Sequence, residues 1–489
     1  ERIAEGLDEE GFSNVSVDGP GFVNFEISSD LYNRSLTRLL SGSEPFPETS
    51  CSTGESIQIE FVSSNPTGPL TVGHCRQAVL GDVLASLYEY LGCEVDTEYY
   101  FNDEGRQMDL LARTLWARYR QALGDSVEIP EDGYRGEYLI DIAEEIADDL
   151  GNQYSSWDDE AATFFKNRGL EEMISRIKED LSSLGVEFDN WFRESSLHAE
   201  GEIDEVLEIL DEKGATYEEN GALWLRAEEK GAQKDAVLVK SDGDPTYLLP
   251  DIAYHLDKYD RGYDRALVLL GADHQRHVKN MKAALDWLDL PEGFYRVLVN
   301  QFVSLSKEGE VKKMSTREGE FVTLRSLVED LGRDVVRYFM SERKPESHLE
   351  FDYDLAKEES MDNPVYYLQY AHTRIASILR EAEGTGLDEE LGTDGVDAGL
   401  LNEDEEKELI KRLDKFPEVV ELAAEDFGPQ HLVRYGENLA ASFHQFYNKH
   451  RVLVDDYDLG RARLGLSRAV QVVLQELLGL LGVSAPEKM

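Results

Sequence analysis

Apolar and polar positions alternate at period two over Ile57, Ile59 and Phe61, which predicts a strand. Val79, Val83, Leu87 and Leu91 then recur at helical spacing, and Gly92 follows as a stop. Between the two patterns lies Asn65-Pro66-Thr67-Gly68-Pro69-Leu70-Thr71-Val72-Gly73-His74, whose two prolines and two glycines force a tight strand-to-helix passage. Thr71 stands where an N-cap belongs, so Gly73 and His74 fall in the first helical turn. The free N–H groups and positive dipole end of such a turn suit a phosphate, and Gly73 lets a ligand approach the backbone. The His74 imidazole can hydrogen-bond a phosphoryl oxygen as charge develops on it. Taken alone, the stretch also fits an ordinary strand, turn and helix with a chance Gly-His pair.

The flanking patterns extend this unit. Residues 1–28 read as a helical tail (Ile3, Ala4, Leu7) and two strands, around Val15 and Val17 and over Phe22-Val23-Asn24-Phe25-Glu26-Ile27, the end of something whose beginning is absent. Residues 30–40 predict a helix and 41–55 a linker rich in Ser, Pro and Glu. Cys93-Glu94-Val95-Asp96-Thr97-Glu98-Tyr99-Tyr100 supplies a second strand after the helix, so the unit is a right-handed crossover that starts a parallel sheet. From 102 to about 229 the pattern is mainly helical and acidic, with Leu110, Leu111, Leu115 and Tyr119 on one face and Leu139, Ile140, Ile142, Ile146 and Leu150 on another. This reads as an insertion that splits the sheet domain. Ala222-Leu223-Trp224-Leu225 and Ala236-Val237-Leu238-Val239 predict the return to strands, and sheet structure is expected to resume around Thr246 to Tyr254. An apolar strand ending Ala266-Leu267-Val268-Leu269-Leu270 then leads through Gly271-Ala272-Asp273-His274-Gln275-Arg276-His277 into a helix. From Asp362 the chain is helical, with an acidic Gly-rich loop over 381–406 and further helices over about 407–424, 430–450 and 461–481.

Three groups of side chains carry candidate chemistry. Tyr247 and Asp251, four apart, offer a carboxylate for a cationic ligand with a ring and hydroxyl beside it if the turn at Pro250 sets both at a strand end; otherwise Asp251 caps the following helix. Lys312, Lys313 and Arg317, on the loop Ser306 to Gly319, form the densest cationic stretch and can clamp a polyphosphate, although any one of them also fits a solvated loop. In the terminal helices Arg374, Arg380, Lys449, Arg451, Arg461, Arg463 and Arg468 lie among Tyr366, Tyr370, Phe443, Phe446 and Tyr447. Such interleaving can stack unpaired bases and hold their phosphates, most of the aromatics being bundle core.

Bulk properties narrow the class. At 489 residues with 41% hydrophobic positions, the chain should form about three domains with real cores. No run is long and apolar enough to span a bilayer. Cys51, Cys75 and Cys93 lack metal-ligand spacing and fit free thiols in a reducing cytoplasm. The formal net charge of −51, from 49 basic and 100 acidic residues, would repel nucleic acid at ordinary salt. The acidity is spread along the chain, in Asp8-Glu9-Glu10, Asp158-Asp159-Glu160 and Glu403-Asp404-Glu405-Glu406, which predicts a halophile's protein, since molar salt cuts the Debye length to about 3 Å.

Together the motifs resemble those of the class I aminoacyl-tRNA synthetases, and within that class the arginyl-tRNA synthetase family. Thr71-Val72-Gly73-His74 matches the HIGH signature, and the Asn65-Pro66-Thr67-Gly68-Pro69-Leu70 lead-in is similar to that of the arginine enzymes. Lys313-Met314-Ser315-Thr316-Arg317 matches KMSKS. Asn102-Asp103-Glu104-Gly105-Arg106-Gln107, Gly271-Ala272-Asp273-His274 and Phe443-His444-Gln445-Phe446-Tyr447-Asn448 extend the resemblance, which reaches Met489.

The resemblance implies an α/β fold: a Rossmann-like parallel-sheet catalytic domain split by a mostly helical insertion and followed by an all-α bundle. The expected parts are a remnant of a tRNA-binding domain (1–28), a linker (29–55), the first catalytic half (56–102), the insertion (103–229), the second half (230–305), the signature loop and stem (306–361) and an anticodon-binding bundle (362–489). It implies ATP-dependent charging of tRNA(Arg) with L-arginine through an arginyl-adenylate, with Mg2+ carried by the ATP, no resident metal, a cytoplasmic monomer and no editing site. Thr71, Gly73, His74, Lys312, Lys313, Met314, Ser315 and Arg317 would serve ATP and catalysis. Ser63 and Asn65 would hold the amino acid's backbone groups, Tyr247 and Asp251 its guanidinium, and His274 stands where many relatives have glutamine. Tyr366, Tyr370, Arg374, Phe446, Tyr447 and Arg451 would meet tRNA. The chain departs from the signatures at Thr71, in place of the first His, and at Thr316, in place of the fourth-position Lys. The family's amino-terminal domain is represented only by 1–28, so a truncated chain is expected.

Overall fold

The computed structural model describes residues 12–19, 22–27, 29–41, 54–272, 275–308, 310–312, 322–387 and 396–489. The described residues fall into two compact units, one within 52–336 with Arg343–Tyr353, the other within 1–51 with Arg337–Glu342 and the described part of 354–489.

The first unit is built on the predicted crossover. Strand β1 (Ser56–Glu60) leads to helix α1 (Val72–Tyr90) and returns as β2 (Glu94–Phe101), parallel to β1 with Ile57 opposite Val95. Thr71 is the extended N-cap of α1, and Gly92 (φ +86°) turns the chain out of its end. Gly81 lets α1 lie on the Phe61 ring, where an added Cβ would come within 2.2 Å. Helices α2 (Gly105–Ala122), α3 (Tyr138–Leu150) and α4 (Asp159–Leu184) follow as the expected insertion.

The parallel sheet then resumes earlier than the sequence predicts, at β3 (Asn190–Arg193), which pairs with β2. Four residues at a sheet edge, polar at both ends, leave no alternation to detect. Ala222–Leu225 and Ala236–Val239 are strands as expected, but with Thr216–Glu219 they make a separate three-stranded antiparallel sheet. Nor does a strand cover 246–254. Helix α5 (Leu248–Asp260) starts there, with Pro250 in the first turn, where a missing N–H costs nothing. Strand β4 (Arg265–Gly271), helix α6 (Gln275–Trp287) and β5 (Tyr295–Asn300) complete the sheet, in the order β5-β4-β1-β2-β3 with every pairing parallel. Strand order reverses between β1 and β4, so the crevice at their carboxyl ends is the place for a ligand.

Alternation in β1 predicts one wet face, yet Gln58 and Glu60 are as buried as Ile57 and Ile59. The polar face is matched by α5. Lys258 Nζ lies 2.6 Å from Glu60, and Glu98 of β2 accepts from Gln58 (2.9 Å), Tyr254 (2.6 Å), Arg261 (2.8 and 2.9 Å) and Asn190. Burial alone would raise the Glu98 pKa, but Arg261, Lys258 and Tyr254 bring it below the usual value.

In the second unit, Phe12–Asp18 and Phe22–Ile27 form an antiparallel hairpin, and Ser29–Ser41 is the predicted helix. The carboxyl-terminal bundle comprises α7 (Pro364–Ala382), α8 (Asp404–Asp414), α9 (Phe416–Glu425), α10 (Gln430–Lys449) and α11 (Tyr457–Leu480). The single helix predicted over 407–424 is two, because Pro417 belongs to the first turn of a new helix and cannot continue the old one. Buried Glu406 accepts from the Glu403 N–H at 3.0 Å and from Arg463 Nε at 2.7 Å, tying α8 to α11.

Removing one partner of the Lys258–Glu60 pair strands a buried charge. Lys258→Met is expected to cost about 3–5 kcal/mol, and Lys258→Met with Glu60→Gln clearly less. Denaturant unfolding of both measures this; equal stability of the single variant and the parent would count against the pair.

Candidate active site

The crevice at the switch point is a cavity of about 1000 Å³. Its walls come from the β1–α1 loop (Val62, Ser63, Ser64, Asn65), the start of α1 (Thr71 to His74), the end of β2 (Tyr100, Asn102), Glu194, the start of α5, the ends of β4 and β5, and His277 and Asn280 of α6. Of the residues singled out in the sequence, Ser63, Asn65, Thr71, Gly73, His74, Tyr247 and Asp251 all meet here.

The loop that opens the site is strained. Val62 and Ser63 have φ of +67° and +39°, and Ser63 N–H bonds back to Phe61 O at 2.9 Å, a γ-turn with a β-branched residue at its centre. Contacts to β2 hold it. Tyr99 Oη donates to Ser64 O at 2.8 Å, and the Tyr100 N–H donates to Ser63 Oγ at 3.2 Å. From the insertion, Gln107 Oε1 accepts from Asn65 Nδ2 at 2.8 Å, and Tyr138 Oη donates to Thr67 O at 2.5 Å.

At the head of α1, the Thr71 N–H donates to His74 Nδ1 at 3.2 Å. The proton of the neutral ring therefore sits on Nε2, leaving that N–H as the donor for a ligand. His74 lines the cavity but is largely packed round by protein, and this desolvation lowers its pKa to about 4. A neutral donor at a helix N-terminus suits a phosphoryl oxygen.

A second set of cavity residues is acidic. Asp251 lies in the first turn of α5, with Tyr247 as the residue before the helix, so neither is at a strand end and Asp251 is not the cap. Its Oδ2 is 2.6 Å from His277 Nε2, and Tyr247 is 75% exposed. Sequence reasoning missed Glu194, which belongs to the same set and accepts from Tyr100 Oη (2.5 Å) and Asn102 Nδ2 (2.7 Å). Burial raises the Glu194 pKa, the Tyr100 hydrogen bond opposes that, and Asp251 adds to it. Burial also raises the Tyr100 and Tyr295 phenols, with Asp251 contributing to both, so they remain donors. Two carboxylates among neutral phenols make a receptor for a cation with several N–H groups. Only its position beside a short edge strand would have pointed to Glu194, and that strand was itself unread.

Of the signature loop, Glu310–Lys312 forms a strand against Val303–Lys307, with Lys312 opposite Leu305. Lys313, Met314, Ser315 and Arg317 lie outside the described residues, as does His274. Beyond the loop the chain returns to the head of α1, where Val72 N–H bonds to Val322 O (3.2 Å) and Leu324 N–H to Leu70 O (2.8 Å). Among the described residues no group of three or more His, Cys, Asp or Glu is placed to hold a metal ion, and no helix is long and apolar enough to cross a membrane.

In the bundle, Tyr366, Tyr370, Arg374, Tyr447 and Arg451 reach the surface in part or fully. Arg374 lies 4.5 Å over the Tyr447 ring and bonds its hydroxyl, and His444 stacks on Tyr370. Phe446 is fully buried, so it packs the bundle and cannot stack a base.

The parallel sheet and the helical bundle are shared with known proteins. The model for the class I tRNA synthetase (R) catalytic domain matches residues 36–375, and that for the DALR anticodon binding domain matches 368–489. The chain belongs to the class I aminoacyl-tRNA synthetases. It is 45% identical to the arginine–tRNA ligase of Thermotoga maritima over 100% of this chain and 90% of that one, and 45% identical to that of Syntrophotalea carbinolica over 100% and 89%. Within the class it is a member of the arginine–tRNA ligase family. A Campylobacter jejuni structure, provisionally described as an arginyl-tRNA synthetase, superposes with a TM-score of 0.85 at 33% identity, over 95% of this chain and 100% of that one. Thermus thermophilus arginyl-tRNA synthetase shares the fold, with a TM-score of 0.77 at 23% identity, over 100% and 91%.

The His74 ring should titrate near pH 4 by NMR. Its pKa is lower folded than unfolded, so its neutral form favours folding above pH 6.5, and that contribution falls away as pH drops from there toward 4. A His74 resonance titrating between 6 and 7 would contradict the tautomer and the burial.

Proposed function

We propose that the chain activates L-arginine with ATP and transfers it to the 3′ end of tRNA(Arg), releasing AMP and pyrophosphate. The observation that carries this reading is one cavity lined by two unlike sets of groups: a helix head with a neutral His74 donor, and the carboxylates Asp251 and Glu194. The arginine carboxylate attacks the α-phosphorus of ATP, and a terminal ribose hydroxyl of the tRNA then takes the arginyl group. The protein's part is positioning and charge stabilisation. Asp251 receives the guanidinium with Tyr247 beside it, and Ser63 and Asn65 face the amino acid's backbone groups. Gly73 and His74 face the phosphates, and Lys312, Lys313 or Arg317 supplies the cation that the signature loop lacks at Thr316. His274 contacts arginine where relatives use glutamine.

Mg2+ travels with the nucleotide. The insertion over 103–229 shields the acceptor end and the bundle over 362–489 reads the anticodon, with Tyr366, Tyr370, Arg374, Tyr447 and Arg451 at the tRNA. The enzyme works as a cytoplasmic monomer in a salt-rich cell, where its net charge of −51 is screened.

Arginine-dependent ATP–pyrophosphate exchange in molar potassium chloride, with tRNA present, tests the reading. Asp251→Asn keeps the shape but loses the charge-assisted pairing, and is expected to raise the KM for arginine about 100-fold with the KM for ATP little changed. Exchange with lysine or citrulline as readily as with arginine would overturn the assignment.

A further inference from the structure

Arg76 lies two residues beyond His74 on α1, is fully buried and does not line the cavity. Its guanidinium faces four backbone carbonyls from two separate segments. Nη1 donates to Gln301 O (3.1 Å) and Ser347 O (2.9 Å), and Nη2 to Arg343 O (3.3 Å) and Lys344 O (2.8 Å). Burial lowers its pKa to about 10, with Glu346 acting against that, so the group stays charged at neutral pH.

The two segments are also joined to each other. Gln301 N–H donates to Pro345 O at 2.8 Å, Leu349 N–H to Phe302 O at 3.3 Å, and Val303 pairs in parallel register with Leu349. Asn300, Gln301, Phe302 and Val303 form a wall of the cavity, and Phe302 is 68% exposed there. The strand Val303–Lys307 that continues this wall leads into the signature loop. Arg76 therefore bonds the helix that carries Gly73 and His74 to the wall that leads into the loop lysines. A planar fork with fixed donors suits this task better than an ammonium, because it sets spacing and orientation at once.

We propose that Arg76 is a positioning residue for ATP: it sets the distance between the head of α1 and the 300–303 wall without touching substrate. This rests on the functional reading above. Asp251 and Glu194 receive none of these hydrogen bonds, so the arginine-binding groups should be spared.

The test is ATP–pyrophosphate exchange by the full chain in molar potassium chloride with tRNA, for the parent, Arg76→Lys and Arg76→Gln. Both variants are expected to raise the KM for ATP about tenfold or more, with the KM for arginine changed less than about twofold. Lysine keeps the charge but not the fork, so an Arg76→Lys variant that behaves like the parent overturns the proposal, as does an equal rise in both KM values. Should a variant fail to fold, hydrogen exchange on the parent decides. A non-hydrolysable ATP analogue should slow exchange of 71–77, 300–303 and 343–349 together, and arginine alone should not; independent responses of these segments overturn the proposal. A parent without arginine-dependent exchange would instead overturn the functional reading, leaving the hydrogen-exchange result to judge Arg76 by itself.

Discussion

The Glu98 carboxylate is the interaction on which the catalytic unit depends. It accepts hydrogen bonds from β1, β3 and α5 through Gln58, Asn190, Tyr254 and Arg261. One acidic side chain thereby fixes three strands and the helix that carries Asp251. A charge in so dry a place is tolerable only when each lone pair is used, and once they are, the arrangement has few alternatives. The neighbouring Glu60–Lys258 pair extends the same logic to the cavity lining, where Lys258 neutralises Glu60. The carboxylates in and behind the cavity wall are therefore divided. Among the described residues, Glu60 and Glu98 are matched by cations of the protein, whereas Asp251 pairs with a histidine and Glu194 with neutral donors.

That division explains how two unlike sets of groups coexist in one crevice. Polyphosphate requires donors and positive potential, and a guanidinium requires the reverse. The fold draws them from different elements, with the phosphate-suited groups on the head of α1 after β1 and the acidic groups at the start of α5 and just after β3. Strain at Val62 and Ser63 is the local cost of turning the chain sharply enough to serve both.

Much of this was legible because local chemistry dictated it. The alternation in Ile57, Ile59 and Phe61, the cap at Thr71 and the stop at Gly92 each act within a few residues, and each recurs in the structure. Ser63 and Asn65 came instead from the resemblance of their surroundings to a known signature, and both line the cavity. What was not legible depends on distant partners. Lys258 and Glu60 are 198 residues apart, and nothing near either forecasts a buried pair. Without that pair β1 reads as half-exposed, and without the pairing of β2 with β3 the Asn190–Arg193 strand and Glu194 read as insertion. Phe446 misled in the opposite direction, since an aromatic beside cations looks the same in sequence whether it faces solvent or packing. Charge density was legible, but its placement was not.

Placement has its own consequence. In a chain with twice as many acids as bases, several cations are withdrawn from the surface: Lys258, Arg76 and Arg337 are fully buried, and Arg463 is 8% exposed. Buried acids, among them Glu60, Glu98 and Glu406, match them, so the exterior keeps about the acidity that the composition implies, whereas the internal pairs lie beyond the reach of mobile ions. Dissolved salt thus acts on the protein as on a charged colloid, governing how its shell swells and which polyanions may approach, and leaves the wiring of the interior at fixed strength.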